Sequence, residues 1–134
     1  MFLHRILDRE ARLAFAGLAS HVLFASEELT PAEARLLYTM YAELELEVGA
    51  LEPSETVEAL ALRITHPRAR AASLLELFRL AFADGEYRAQ ERAIIARVAE
   101  LWGASSETVS WLDDWVRRHA ALVDEARGWI ESTR

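Results

Sequence analysis

Apolar residues recur at intervals of three and four along most of the chain. Ala11, Phe15, Leu18, Ala19 and Val22 share one face of a helix predicted from about His4 to Ala25, with Arg5, Arg9 and Arg12 on its far side. Thr30, Pro31 and Glu33 then read as N-cap, N1 and N3 of a second helix with Leu36, Leu37, Met40, Tyr41 and Leu44 inward. Gly49 and Pro53 break the pattern, and Ser54 can cap a short third helix carrying Val57, Leu60, Ala61 and Ile64. Pro67 ends or restarts it. A fourth helix turns Leu74, Leu77, Phe78 and Ala81 inward, and a fifth, from about Ala89 to Trp102, buries Ile94, Ile95 and Val98 and stops at Gly103. The last begins after Ser105 or Ser106. On it Trp111, Trp115, Leu122 and Trp129 fall in one row and Leu112, Val116, Val123 and Ile130 in the next, a stripe wide enough to be core. The expected fold is all-α, a compact domain of about six helices.

Length and composition agree with that picture. A chain of 134 residues fits one domain over residues 1–134 and can bury a core without staples. Slightly more than half of the residues are apolar, and Gly and Pro are sparse. All fifteen basic residues are arginine, and twenty-two carboxylates leave a net charge of −7, which repels phosphate backbones, so no nucleic-acid partner is expected. The absence of cysteine removes disulfides, thiolate nucleophiles and Cys-based zinc sites. No apolar run approaches the roughly 18 residues of a membrane span, and the N-terminal stretch is interrupted by charge, so a cytoplasmic location is expected. Peripheral association with a membrane and the oligomeric state are left open.

Chemistry concentrates in one short stretch, Phe82 to Glu91, where an Asp-Gly pair and two further carboxylates join the fourth helix to the fifth. As structure alone, Asp84 bonds backbone amides, Gly85 supplies a positive φ, and Glu91 sits at N3 near the positive end of the helix dipole. As a site, Asp84, Glu86 and Glu91 offer hard oxygens to a divalent cation, with backbone carbonyls and water completing its shell. Both readings stand, although Arg88 at the cap position has no acceptor oxygen, so Glu91 lacks a capping-box partner. The spacing is not that of an EF-hand loop.

Sliding the chain against itself by 58 residues pairs Phe24 with Phe82, Ala25 with Ala83, Glu28 with Glu86 and Glu33 with Glu91. Leu36, Leu37 and Met40 then meet Ile94, Ile95 and Val98. Two related helix–joint–helix halves follow, at about 11–44 and 69–102. If the joints approach one another, Glu28 and Glu33 add charge to the site.

The joint Ala83 to Glu91 and the repeat resemble the TerB-like family of tellurite-resistance proteins, marked by an Ala-Asp-Gly joint with a Glu at the start of the next helix. The resemblance covers roughly residues 10 to 120. It implies an all-helical repeated domain, a calcium or other divalent-cation site at the acidic joints, and a role in bacterial stress response near membrane-associated or chaperone-linked partners. The joint Asp falls on Asp84, the turn Gly on Gly85 and the helix-start Glu on Glu91. The first joint departs, with Ser26 for the Asp and Glu27 for the Gly.

Nothing else reads as chemistry. His119 lies near the middle of the last apolar stripe as a core or boundary imidazole, and His4, His21 and His66 have no partner at metal spacing. No Gly-rich phosphate loop, nucleophile elbow or Glu-x-x-His pair occurs, so the chain is not expected to be an enzyme and no organic cofactor is expected. Two functions remain: a divalent-cation binding protein, calcium first, with Asp84 as main ligand and Glu86, Glu91, Glu28 and Glu33 around it; or a metal-independent helical interaction module that docks a protein partner through its acidic or Trp-bearing face.

Overall fold

The computed structural model describes residues 1–26, 29–47, 55–85 and 88–133. Among these, every regular element is helical: a 3-10 turn at Leu3–Arg5, then α1 (Arg9–Phe24), α2 (Pro31–Glu43), α3 (Val57–Leu62), α4 (Pro67–Ala81), α5 (Ala89–Leu101) and α6 (Ser106–Ser132). The first helix starts at Arg9 and not near His4. Asp8 has extended backbone, and its carboxylate accepts from the Glu10 amide at 3.0 Å, a cap that separates α1 from the turn. Leu3 and Ile6 are fully buried on that turn, so their helical spacing belongs to a separate element. The cap of α3 is Thr56, whose hydroxyl accepts from Ala59 N. Ser54, the expected cap, lies outside the described residues with Gly49 and Pro53. Pro67 opens α4 at N1, where its missing N–H costs nothing.

α1 is the central helix. Ala14, Phe15, Leu18, Ala19 and Val22 are fully buried, and the helix packs on α2, α3, α4 and α5. Its approach to α3 is close: a Cβ at Gly17 would lie 2.8 Å from a methyl of Leu60, so that the leucine side chain would have to shift.

The two halves match at the level of single contacts. α1 and α4 begin 58 residues apart, at Arg9 and Pro67, and α2 and α5 do the same, at Pro31 and Ala89. Arg12 Nε donates to the carbonyl of Ile6 at 2.6 Å; its counterpart Arg70 donates through Nε to the carbonyl of Ile64, also at 2.6 Å. Ile6 and Ile64 are both fully buried. Each arginine then reaches the C-terminal end of the next long helix of its half. Arg12 Nη1 bonds the Leu44 carbonyl at 3.2 Å, and the Arg70 guanidinium lies over the Trp102 ring, 5.8 Å from its centre. The equivalence thus extends back to residue 6, beyond the start expected from sequence. Arg12 is accordingly no solvated far-face residue.

Only the first part of α6 joins this core. Leu112 and Val116 are buried and the helix packs on α4, while Trp115 is half-buried, edge-on to Phe2 and stacked on His119. From Ala121 to Thr133 every residue is exposed. The expectation that the whole stripe is core is therefore corrected: Trp111, Leu122, Trp129 and Ile130 are each more than half exposed, and Val123 is exposed as well.

Candidate functional site

The joints between α1 and α2 and between α4 and α5 meet, and they are built differently. In the first, Thr30 and Glu33 form a reciprocal capping box: Thr30 Oγ1 accepts from Glu33 N at 3.2 Å, and Thr30 N donates to Glu33 Oε1 at 3.1 Å. In the second, the chain turns through Phe82–Gly85, with Gly85 N bonded to Phe82 O at 3.0 Å and Gly85 at φ +83°. That φ lies in the left-handed region where glycine is unstrained. Arg88 occupies the N-cap position of α5 with extended backbone and makes no side-chain cap. Glu91, deprived of a capping partner, turns inward and accepts from Ser26 Oγ of the other joint at 3.3 Å.

Arg88 fills the space between the halves. Its guanidinium lies 3.0 Å from Asp84 Oδ2, 3.4 Å from Glu91 Oε1 and 3.5 Å from Glu33 Oε1. Among the described residues this cation faces three carboxylates, two of them from the second half and one from the first. Glu33 and Glu91 are fully buried, and the Oε2 atom of each is buried without a hydrogen-bond partner among the described residues. A buried carboxylate oxygen left so costs free energy that a cation or a proton can recover.

The electrostatics follow from that enclosure. Burial pushes the Glu91 carboxyl up to about 7, and the charge of Glu33 adds to the rise, while Arg88 and Ser26 oppose it. Partial desolvation works against the charge of Arg88, but Asp84, Glu91 and Glu33 more than offset it and hold the guanidinium more firmly protonated than usual.

Of the five residues singled out from sequence, the structure brings together Asp84, Glu91 and Glu33. Glu28 and Glu86 lie outside the described residues. Among the described residues no three His, Asp or Glu side chains stand as a ready-made metal-ligand group. The donor set nonetheless suits a hard cation: buried carboxylate oxygens, two of them without partners among the described residues, gathered where the two joints meet. Sequence reasoning missed two features. Arg88 bridges the joints, and its lack of an acceptor oxygen was the one available signal. Glu76 is a fully buried carboxylate on α4, held by Arg79 Nη1 at 2.9 and 3.0 Å, and its spacing from Arg79 resembles any surface pair.

Beside the joints an open groove of about 1240 Å³ runs between α2 and α6, with Leu36, Phe82, Val116 and Val123 among its apolar lining and Arg35 and Arg127 among its charges. Arg117, also in its wall, lies over the Phe82 ring at 5.0 Å. Among the described residues no helix is long and apolar enough to cross a membrane.

The family model of the tellurite resistance protein TerB matches residues 18–112. It spans both joints and ends at Leu112, before the exposed part of α6. No curated protein and no solved structure matches the chain significantly.

Proposed function

The chain belongs to the TerB family of tellurite resistance proteins, and we propose that it is a non-enzymatic helical module whose two joints together bind a divalent cation. The observation that carries this reading is the pair Glu33 and Glu91: equivalent residues of the two halves, both fully buried, each with an Oε2 that has no partner among the described residues. These two would supply the central oxygens and Asp84 a third at the edge; calcium, with its tolerance of irregular oxygen shells, is the first candidate. When bound, the cation supplies positive charge to carboxylates that one guanidinium serves now. The protein's own residues do the rest: the capping box fixes Glu33, the Gly85 turn presents Asp84, and Ser26 orients Glu91 across the contact. A stress-response role and a cytoplasmic location belong to this proposal as its setting.

The test is calorimetric and thermal titration of the protein with calcium, magnesium and manganese, beside Glu33→Gln and Glu91→Gln. Binding to wild type that either substitution abolishes supports the reading. No heat and no change in melting temperature at millimolar cation would reduce the joints to bends.

The exposed part of α6 favours a second, metal-independent reading. Leu122, Val123, Trp129 and Ile130 continue the row that buries Leu112 and Val116, with no part of this chain over them among the described residues. An amphipathic helix of a protein partner, apolar toward this row and acidic toward Arg35 and Arg127 in the adjoining groove, fits that surface. Collisional quenching by iodide tests the premise: tryptophans at 111 and 129 must be accessible in the isolated chain, and protection of all four would remove it.

A further inference from the structure

We propose that Arg88 is the resident cation of the joint, a gate that a divalent ion must displace. The inference rests on the cation-site reading above but concerns a residue that reading does not use. Arg88 Nη1 approaches Oε1 of both Glu33 and Glu91, and Nη2 approaches Oδ2 of Asp84. All three carboxylates assigned to the ion are therefore engaged by one side chain.

A guanidinium is planar, permanently charged and weakly hydrated, so it can neutralise buried acids without a bound ion. It cannot saturate them. Among the described residues three carboxylates face this one positive charge, and the Oε2 atoms of Glu33 and Glu91 have no hydrogen-bond partner. This is the arrangement expected of a joint that folds without metal yet keeps a residual preference for it. A divalent ion brings twice the charge in a smaller volume, but it is repelled while Arg88 stays, because like charges a few ångströms apart raise each other's energy steeply in a partly buried site. Arg88 is 22% exposed at its side chain, so it has a route to solvent.

The position itself explains why an arginine is tolerated. The equivalent residue in the first half is Thr30, which caps α2. Arg88 makes no side-chain cap, and its guanidinium instead lies across the contact. Arg88 thus sets the affinity of the site and is a positioning residue, not a ligand.

The experiment measures calcium and manganese binding by calorimetry to wild type, Arg88→Gln and Arg88→Thr, with folding of each variant checked by circular dichroism in EDTA. The gate predicts binding roughly tenfold or more tighter in both variants than in wild type, with lower stability in EDTA that cation restores. A variant that folds only with cation present supports it equally. Wild type and variants that bind equally would overturn the gate and leave the cation site standing. Binding by the variants with none by wild type would uphold the gate and remove cation binding from the native protein's function. If neither binds, both fall. Should the variants fail to fold in every condition, the Arg88 guanidinium NMR signals of wild type decide. They must move from an ion-paired to a free position on adding calcium, and unchanged signals in a calcium-saturated sample would overturn the gate.

Discussion

Glu91 carries a proton in the folded protein at pH values where the unfolded chain has released it. Its ordinary carboxylate value is about 4.3, and in the fold burial, with Glu33 adding, raises it to about 7. Between these limits the folded state binds the proton and the unfolded state does not, so stability is highest at the acid end and falls as the pH rises toward 7. Among the described residues, Glu33, Asp84, Arg88 and Ser26 face Glu91. In chemical denaturation at a series of pH values, Glu91→Gln should flatten the profile between about pH 5 and 7. An unchanged slope would place the titration elsewhere. A second prediction at this scale concerns Arg70. It is bonded to the Ile64 carbonyl and stacked on Trp102, so Arg70→Ala should cost about 1–3 kcal/mol in urea unfolding. Arg68→Ala, on the exposed face two residues away, should stay within about 0.5 kcal/mol.

Helices were legible where local chemistry and burial point the same way. Thr30, Pro31 and Glu33 announce α2, and the structure has the full capping box. Leu37, Met40 and Tyr41 are buried as their spacing predicts. The start of α1 was misread because Leu3 and Ile6 continue the apolar period, and period alone does not register the break that Asp8 imposes. The misreading of α6 has a deeper cause. An apolar row states that a face is to be covered, but not by what, and among the described residues the row from Trp111 to Ile130 is buried only as far as Val116. A mutational contrast follows. Leu112→Ala should cost about 2–4 kcal/mol, whereas Trp129→Ala, at a site 71% exposed, should change stability by less than about 0.5 kcal/mol. Equal costs in equilibrium unfolding would mean that the distal helix folds back onto the body.

For the whole molecule, helix starts and single contacts recur at the offset of 58 residues. It aligns the long helices, and it predicts which carboxylates meet, since Glu33 and Glu91 are its partners. What it could not supply is depth: a glutamate at N3 reads the same whether its carboxylate is in water or sealed beneath the opposite joint. Nor could it supply the arginine staples, because charged side chains are assigned to solvent by default, although Arg12 and Arg70 stand at the same offset as Ile6 and Ile64. At this scale the cation proposal has a quantitative form. A ligand that binds only the native state at a hundredfold excess over its Kd adds about 2.7 kcal/mol. For a chain of this length that is a rise in melting temperature on the order of 10 °C. Differential scanning calorimetry with and without EDTA measures it directly, and a shift that persists in Glu33→Gln would mean the ion binds elsewhere.

The two joints are equivalent in place but no longer in content. One has Thr30 to cap its helix and an uncharged Ser26; the other has Asp84 and Gly85 and an arginine where the cap would be. A pair made of two first halves would bring together two capped helices with no aspartate and no guanidinium between them. A pair of two second halves would crowd two arginines against four acids and leave both helices uncapped. Each half has therefore become the specific complement of the other. The chain behaves at this contact as a fused heterodimer, whose joints can be exchanged together but not one at a time.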